Sequence, residues 1–296
     1  MTTSVLLGFE DYREQGRRLA ETLGIPYQEI QLRRFPDEES LVRLPATLPQ
    51  RVIICRSLDR PNNKLIELML AARTARELGA QHLTLVAPYL CYMRQDIANQ
   101  PGEAVSQRIV GAWLAQLFDA VLTVDPHLHR IHTLREAIPL EKAISLHATQ
   151  PIADFLRTRV GGALLLGPDS ESAQWVSSLA QSSECDYAVA NKTRHGDRSV
   201  EVELPEVPFS DRKVVIIDDV ASTGHTLAVT ARGLYERGAT AVYACVTHAL
   251  ISPGAEKVLR DARIESLWST DSITHASNAI SLDALLAQAI RTSIYA

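Results

Sequence analysis

The chain has 296 residues, of which 46% are hydrophobic, and its 30 basic and 35 acidic side chains give a net charge of −5. This composition is typical of a core-forming globular protein with one large domain or two ordinary ones; the lack of a basic run argues against nucleic-acid binding, and no apolar stretch approaches the roughly 20 residues of a membrane helix. The N-terminus lacks the pattern of a signal peptide and the four cysteines lack paired spacing, so we expect a reduced, cytoplasmic protein.

Apolar runs and helical patterns alternate along the whole chain. The predicted strands are residues 5–8, 51–55, 82–86, 120–124, 163–167, 187–190, 214–217 and 241–246. Helical patterns lie between them at residues 11–23, 65–78, 106–117, 151–159 and 172–179, and a further one begins at Leu227. Such alternation predicts an α/β fold with parallel, doubly wound sheets.

One helix–strand pattern occurs twice. The motif Ala-Arg-x-x-x-Glu-x-Gly-Ala stands at residues 72–80 and again at 231–239, each time followed by a predicted strand. An apolar strand also precedes each copy, at residues 51–55 and 213–217. Because both elements recur in the same order, we interpret the chain as two homologous, doubly wound parallel-sheet domains. The predicted domains are residues 1–144 and 145–296.

The most informative stretch lies between the strand at 214–217 and the second half's last predicted helix. Two adjacent acids follow the apolar run, and a small hydroxyl-rich loop comes next. Open α/β sheets bind ligands at the carboxyl ends of their strands; hydroxyls and amides at a helix N-terminus suit a phosphate, and acids suit sugar hydroxyls or the waters of a hard cation. An ordinary acidic turn is the alternative, but acids combined with such a loop are much rarer. We therefore predict a phosphorylated-pentose site formed by Asp218, Asp219, Ser222, Thr223, Gly224 and Thr226.

This stretch resembles the signature loop of proteins that bind phosphoribosyl diphosphate (PRPP), which have the type I phosphoribosyltransferase fold. Further motifs follow one another as in the ribose-phosphate diphosphokinase (PRPP synthetase) family, and the resemblance covers nearly the whole chain. They are Phe35-Pro36-Asp37-Glu38-Glu39, Arg94-Gln95-Asp96, Asp125-Pro126-His127, Gly167-Pro168-Asp169 and Asn191-Lys192-Thr193-Arg194. The compact segment at 101–106 and Ser222 look more like the archaeal-type members.

The resemblance implies an enzyme that transfers the diphosphoryl group of Mg²⁺–ATP to the 1-hydroxyl of ribose 5-phosphate, giving PRPP and AMP. Lys192 and Arg194 would stabilise the transferring group, since a lysine point charge and an arginine fork together suit a moving phosphoryl group. The polar stretch 195–199 is expected to be a lid that excludes water. His127 and Asp169 would organise Mg²⁺ on the ATP phosphates. The residues implied in ATP binding are Phe35, Asp37, Glu39, Arg94, Gln95 and Asp96.

The resemblance also implies a homo-oligomer. In the family, the loop that corresponds to residues 35–39 contributes to the ATP site of a neighbouring subunit, so we expect at least a dimer with isologous contacts. No nucleic-acid or membrane partner is expected, and the implied partners are ATP and ribose 5-phosphate.

Three residues depart from the family's pattern. Glu38 stands where members commonly have Gly, which reaches φ > 0 more easily. Glu171 sets a negative charge near the phosphate site, and we expect Asp169, Ser170 and Glu171 to begin a helix, where acids are favoured. His225 stands where many relatives have a small residue.

Two other functions stay open. One is a catalytically weak regulatory paralogue that binds a synthetase, which the changes at Glu38 and Glu171 favour and the retained Lys192 and His127 oppose. The other is a phosphoribosyltransferase that consumes PRPP, which the repeated architecture and the 94–96 motif oppose.

Overall fold

The structure, a computed structural model, describes residues 4–128, 130–169, 172–194 and 200–294. The chain divides into two compact units. The first comprises the described residues up to Leu146, together with 272–274 and those from Asp283 onward. The second comprises His147–Asp271 and His275–Leu282.

The end of the chain is where this division differs from the predicted one. The predicted boundary after residue 144 falls inside an edge strand of the first sheet, Lys142–Leu146. The C-terminal residues, predicted in the second domain, return to the first unit: Thr22 Oγ1 donates to Asp283 Oδ2 at 2.6 Å, and Lys142 Nζ donates to the Ile294 carbonyl at 3.0 Å. Contacts between residues so far apart leave no local pattern that a sequence prediction could use.

The first unit is built on a mostly parallel sheet. Among the described residues its strands are β1 (Ser4–Phe9), β2 (Tyr27–Arg34), β3 (Ser40–Arg43), β4 (Arg51–Cys55), β5 (His82–Val86), β6 (Ala120–Val124) and β7 (Lys142–Leu146). Their order is β3-β2-β1-β4-β5-β6-β7. Only the β2–β3 pair among these is antiparallel.

The second unit holds a fully parallel sheet and a separate hairpin. The described strands are β8 (Leu164–Gly167), β9 (Asp186–Val189), β10 (Asn191–Arg194), β11 (Val200–Glu203), β12 (Lys213–Ala221), β13 (Ala241–Ala249), β14 (Ile264–Thr270) and β15 (Asn278–Ile280). The parallel sheet has the order β15-β14-β13-β12-β8-β9, and β10 pairs with β11 alone. The two sheets confirm the predicted α/β fold.

Helices connect these strands. Within the described residues they are α1 (Arg13–Leu23), α2 (Pro61–Glu77), α3 (Ser106–Leu117), α4 (Leu134–Ala137), α5 (Thr149–Arg159), α6 (Ala173–Ser183), α7 (His225–Glu236), α8 (Ala255–Asp261) and α9 (Asp283–Ala289). None of these described helices is long and apolar enough to cross a membrane.

Both sheets are covered on their two faces. Neighbouring residues of a strand point to opposite faces, yet Leu6 and Leu7 of β1 are both fully buried, as are Val215 and Ile216 of β12. Strands buried in this way read as continuous apolar runs. The repeated motif corresponds to two parallel β-α-β units, β4-α2-β5 and β12-α7-β13.

Candidate active site

The carboxyl edge of the second sheet collects most of the residues predicted to act on the pentose and the transferring group. Strands β12, β8 and β9 are neighbours and run parallel. Asp218 and Asp219 lie in the last part of β12, Asp169 follows β8, and Lys192 follows β9. Parallel strands end at one edge of a sheet, and ligands of open α/β sheets bind there.

Strand β12 is longer than predicted and contains both acids. Its pairing with β13 continues to Ala221, whereas its pairing with β8 ends at Ile216. The segment that carries Asp218 and Asp219 therefore projects past the end of β8. Both acids are half-buried, and the amide of Asp219 donates to Asp218 Oδ1 at 3.0 Å. On the β8 side, strand pairing among the described residues therefore stops before the two acids.

The hydroxyl-rich loop that follows is fastened from one side. Thr223 is exposed, Ser222 is half-buried, and the Ser222 carbonyl accepts from the amide of Ser252 at 3.1 Å and from its hydroxyl at 3.3 Å. Ser252 was not among the predicted site residues. It lies beyond β13, and no local pattern connects it with the loop.

Gly224 joins the loop to α7. It is the N-cap, with φ of 75°, and it is buried; a Cβ there would lie 3.1 Å from Leu259 Cδ2. Gly224 has no side chain to cap the first turn of α7, and a helix N-terminus of this kind suits a phosphate. Thr226 is half-buried in that turn, and the exposed His225 lies outside the packed core.

The segment of Lys192 and Arg194 is extended. Both residues belong to β10, which pairs antiparallel with β11 through Lys192↔Val202 and Arg194↔Val200. The predicted lid, residues 195–199, lies outside the described residues.

Asp169 shapes the turn between β8 and α6. Its carbonyl accepts the Ser172 hydroxyl at 2.6 Å, and its Oδ1 accepts the Ser172 amide at 3.1 Å. The helix start predicted at Ser170 and Glu171 lies outside the described residues, and the described helix α6 begins at Ala173.

In the first unit, the loop after β5 separates the three residues predicted to bind ATP. Arg94 is exposed, Gln95 is half-buried and Asp96 is only 5% exposed. Asp96 Oδ1 already accepts from Arg130 Nη1 at 2.6 Å, and the carbonyl of Gln95 accepts from the Gln107 amide at 3.2 Å. Arg94 is thus open to solvent, while Asp96 fastens the loop through its contact with Arg130.

His127 lies beside this loop. It follows β6, the neighbour of β5, and is half-buried. Arg130, three residues further along, holds Asp96 and so ties the two loops together. Burial raises the pKa of the Cys91 thiol, in the segment between β5 and Asp96, to about 12, which keeps that group neutral. The structure therefore brings the 94–96 loop and the His127 loop to one edge of the first sheet.

The turn with Phe35, Asp37 and Glu39 lies elsewhere in the first unit. It joins β2 to β3, and β2 is three strand spacings, about 14 Å, from β5. Phe35 is 39% exposed, and its amide donates to the Glu39 carbonyl at 2.8 Å. Glu38 adopts a φ of 71°, so the turn keeps the left-handed residue that a glycine would provide. Within one chain the structure does not bring this turn and the 94–96 loop together.

The loop between β4 and α2 is the first unit's counterpart of the loop between β12 and α7. Here the chain supplies its own charges. Lys64 Nζ donates to the Ser57 carbonyl at 2.9 Å and to Asp59 Oδ1 at 2.7 Å, and it lies 3.0 Å from Asp11 Oδ2. The two corresponding loops therefore differ: the first contacts a lysine of its own unit, whereas the second leads to a helix without a side-chain cap.

No metal-binding cluster of three His, Cys, Asp or Glu side chains occurs among the described residues. His127 belongs to the first unit and Asp169 to the second. All four cysteines are free.

Comparison with known proteins gives the family. A family model described as the N-terminal domain of ribose phosphate pyrophosphokinase matches residues 4–117, and a phosphoribosyl transferase domain model matches residues 140–280. A ribose-phosphate pyrophosphokinase of Methanopyrus kandleri is 31% identical over 97% of this chain and 98% of its own length. This chain belongs to the ribose-phosphate pyrophosphokinase family.

A second archaeal relative supports the same family, and a solved structure supports the fold. A ribose-phosphate pyrophosphokinase of Saccharolobus solfataricus is 32% identical over 86% of this chain and 88% of its own. These relatives are archaeal, which confirms the resemblance to archaeal-type members. The crystal structure of phosphoribosylpyrophosphate synthetase from Mycobacterium smegmatis superposes with a TM-score of 0.83, covers 99% of each chain and is 21% identical. That likeness establishes the fold.

Proposed function

We propose that the protein is a ribose-phosphate diphosphokinase, which transfers the diphosphoryl group of ATP to the 1-hydroxyl of ribose 5-phosphate and releases AMP. Membership of the family supports the reaction. The observation that carries the proposal is the carboxyl edge of the second sheet, where the last part of β12 carries two acids and a glycine-capped helix N-terminus follows it. Acids that accept hydrogen bonds from sugar hydroxyls, beside amides that donate to phosphate oxygens, fit ribose 5-phosphate.

Each group at this edge has a distinct task in the proposed reaction. Asp218 and Asp219 accept hydrogen bonds from ribose hydroxyls, and the turn that contains Ser222, Thr223, Gly224 and Thr226 holds the 5-phosphate. Lys192 and Arg194 neutralise charge that develops as the diphosphoryl group moves. Charge stabilisation and positioning account for most of the catalysis of phosphoryl transfer.

ATP is proposed to bind the first unit through Arg94, Gln95 and the Phe35 turn. The exposed Arg94 supplies a bidentate donor for phosphate oxygens, and the exposed Phe35 ring offers a face for the base. The proposed role of Asp96 in the ATP site is to hold the loop in place through its ion pair with Arg130.

Mg²⁺ is the proposed cofactor. It prefers oxygen ligands and keeps several waters, so it binds through substrate phosphates and one or two carboxylates rather than an all-protein cage. The half-buried carboxylate of Asp169 suits this role, and His127 suits a contact to a phosphate or a metal-bound water. Bound Mg²⁺ would withdraw charge from the ATP phosphates.

We further propose a cytoplasmic homo-oligomer of at least two subunits. Strands β2 and β5 lie about 14 Å apart, at about 4.8 Å per strand spacing. This separation favours a Phe35 turn that serves the ATP site of a neighbouring subunit. Mixing an inactive Phe35→Ala/Glu39→Ala double variant with an inactive Lys192→Ala variant should restore part of the activity, because some mixed interfaces carry one intact site. Full activity of a monomer at the assay concentration would exclude shared sites.

One assay tests the proposed reaction. Purified protein with Mg²⁺, ATP and ribose 5-phosphate should produce AMP and PRPP in equal amounts. Lys192→Ala should lower kcat about a hundredfold, the scale of losing one electrostatic stabiliser. Lys213→Ala is the matched control, since Lys213 is exposed at the opposite, amino end of β12. Turnover of Lys192→Ala within twofold of the parent would contradict its role, and absence of AMP and PRPP would contradict the function.

A further inference from the structure

Glu67 is a buried acid that the proposed reaction does not use. It lies in the second turn of α2, and the residue is 0% exposed. Burying a carboxylate is costly unless the charge is paired and hydrogen-bonded. The partners of Glu67 therefore indicate why such a group is tolerated there.

One carboxylate oxygen of Glu67 contacts a buried arginine. Glu67 Oε2 lies 2.7 Å from Nη2 of Arg56, which is 3% exposed. The Arg56 guanidinium carbon lies 4.0 Å from the centroid of the Phe9 ring, and Arg56 Nε donates to Asp11 at 3.2 Å. Arg56 is thus held between β1, β4 and α2, and it gives Glu67 a fixed point.

The other oxygen meets the β2–β3 hairpin. Glu67 Oε1 accepts from the Ser40 hydroxyl at 2.9 Å and lies 3.6 Å from Arg34 Nη2. Arg34 and Ser40 are register partners, the last cross-strand pair before the turn that carries Phe35. A single carboxylate therefore contacts both strands at the base of the turn and connects them to Arg56.

We infer that Glu67 is a positioning residue, which holds the Phe35 turn in the geometry that binds the nucleotide. The inference rests on the proposed assignment of this turn to ATP. The turn needs such a hold because it is exposed, belongs to the edge of the sheet and contains Glu38 at a φ of 71°. A turn ordered before binding loses less conformational entropy when the ligand arrives.

Ser40→Ala is the sharpest test, because it removes the donor from the hairpin and leaves the Glu67–Arg56 pair in the core. We expect KM for ATP to rise about tenfold, the scale of a hydrogen bond to a charged group, with kcat and KM for ribose 5-phosphate unchanged. Amide hydrogen exchange of residues 34–40 should become faster. Ser40→Thr keeps a hydroxyl in a strand position and should restore both values.

Two controls separate the inference from the function on which it rests. Ser182→Ala removes a comparable exposed hydroxyl, bonded to the Ser178 carbonyl at 3.0 Å in α6, and should change neither readout. Phe35→Ala tests the ATP assignment itself and should raise KM for ATP.

The outcomes are distinct. If Phe35→Ala raises KM for ATP while Ser40→Ala changes neither KM nor exchange, the positioning role of Glu67 is overturned and the ATP assignment stands. If Phe35→Ala leaves KM for ATP unchanged, the ATP assignment of the turn fails, and the inference fails with it. Selective loss of ATP affinity with faster exchange at 34–40 in Ser40→Ala supports the role of Glu67.

Discussion

Replacing Gly224 by alanine is the most direct perturbation of the loop proposed to hold the 5-phosphate. Gly224 has φ of 75°, and an added Cβ would lie 3.1 Å from Leu259 Cδ2 and 3.5 Å from the Ala255 carbonyl oxygen. Gly254 provides a matched control. Its φ is 87°, it is also an N-cap, and a Cβ there would meet nothing within 4 Å.

The structure gives separate magnitudes for the two changes. A left-handed conformation costs alanine about 1–2 kcal/mol, and the smaller entropy of the unfolded alanine chain offsets about 0.4–1 kcal/mol of this. Gly254→Ala should therefore lower the free energy of unfolding by about 0.5–1 kcal/mol, the difference between these two effects. Gly224→Ala should lose about 1 kcal/mol more, because Leu259 must shift to admit the methyl group.

Thermal unfolding and steady-state kinetics measure the two consequences. A loss of 1 kcal/mol lowers Tm by about 2–4 °C in a domain of this class, so Gly224→Ala should melt several degrees below the parent. Its KM for ribose 5-phosphate should rise about tenfold, since small displacements of binding groups are costly, while KM for ATP stays unchanged. Gly254→Ala should leave both KM values unchanged. Equal kinetics in the two variants would refute the placement of the phosphate at this loop.

Three further predictions test other parts of the molecule. Asp218→Asn should raise KM for ribose 5-phosphate and spare KM for ATP, because an amide has one acceptor oxygen where a carboxylate has two; the reverse pattern would show that the two ligands are exchanged. Gly111→Ala in α3 should lower Tm by several degrees, although helix propensity alone favours alanine by about 1 kcal/mol, because the new Cβ would overlap the carbonyl oxygen of Ala137; a higher Tm would contradict the packing. Burial raises the pKa of Cys245 from 9.0 to about 12, so its neutral thiol should resist iodoacetamide at about pH 8 while the half-exposed Cys185 reacts, as mass spectrometry can show. Because the pKa of Cys245 is higher in the folded protein, its contribution to the free energy of unfolding is fully present below pH 9.0 and is lost as the pH rises toward 12. Labelling of Cys245 in the folded protein would contradict its burial.

The elements that the sequence predicted best are those with apolar runs buried on both faces. The strands β4, β5 and β6 and the helix α3 have the predicted bounds, because continuous apolar runs and a clear helical period leave little choice. The hairpin of β2 and β3 was not predicted as strands. Only Ile30 of β2 is buried, so this strand lacks the apolar run that marks the inner strands.

Strand β12 shows why the end of a strand is harder to predict than its middle. The polarity of Asp218 and Asp219 suggested a loop, but pairing with β13 keeps the backbone extended to Ala221. The sequence predicted that Asp218 and Asp219 lie at the carboxyl end of a strand. It could not show that Arg130 takes Asp96 or that Ser252 fastens the loop, because these contacts join residues that no local pattern connects.

The two loops of the repeat give the halves of this chain different sensitivities. In the first unit, Lys64 of α2 donates to the Ser57 carbonyl and lies beside Asp11. The loop between β4 and α2 therefore finds its counter-charges within the chain and should keep its shape without a ligand. In the second unit, Gly224 supplies no side-chain cap to α7, and under the proposed function the 5-phosphate supplies the counter-charge there. Binding of ribose 5-phosphate should accordingly order the turn at Gly224, whereas the loop between β4 and α2 should keep the same order with or without that ligand.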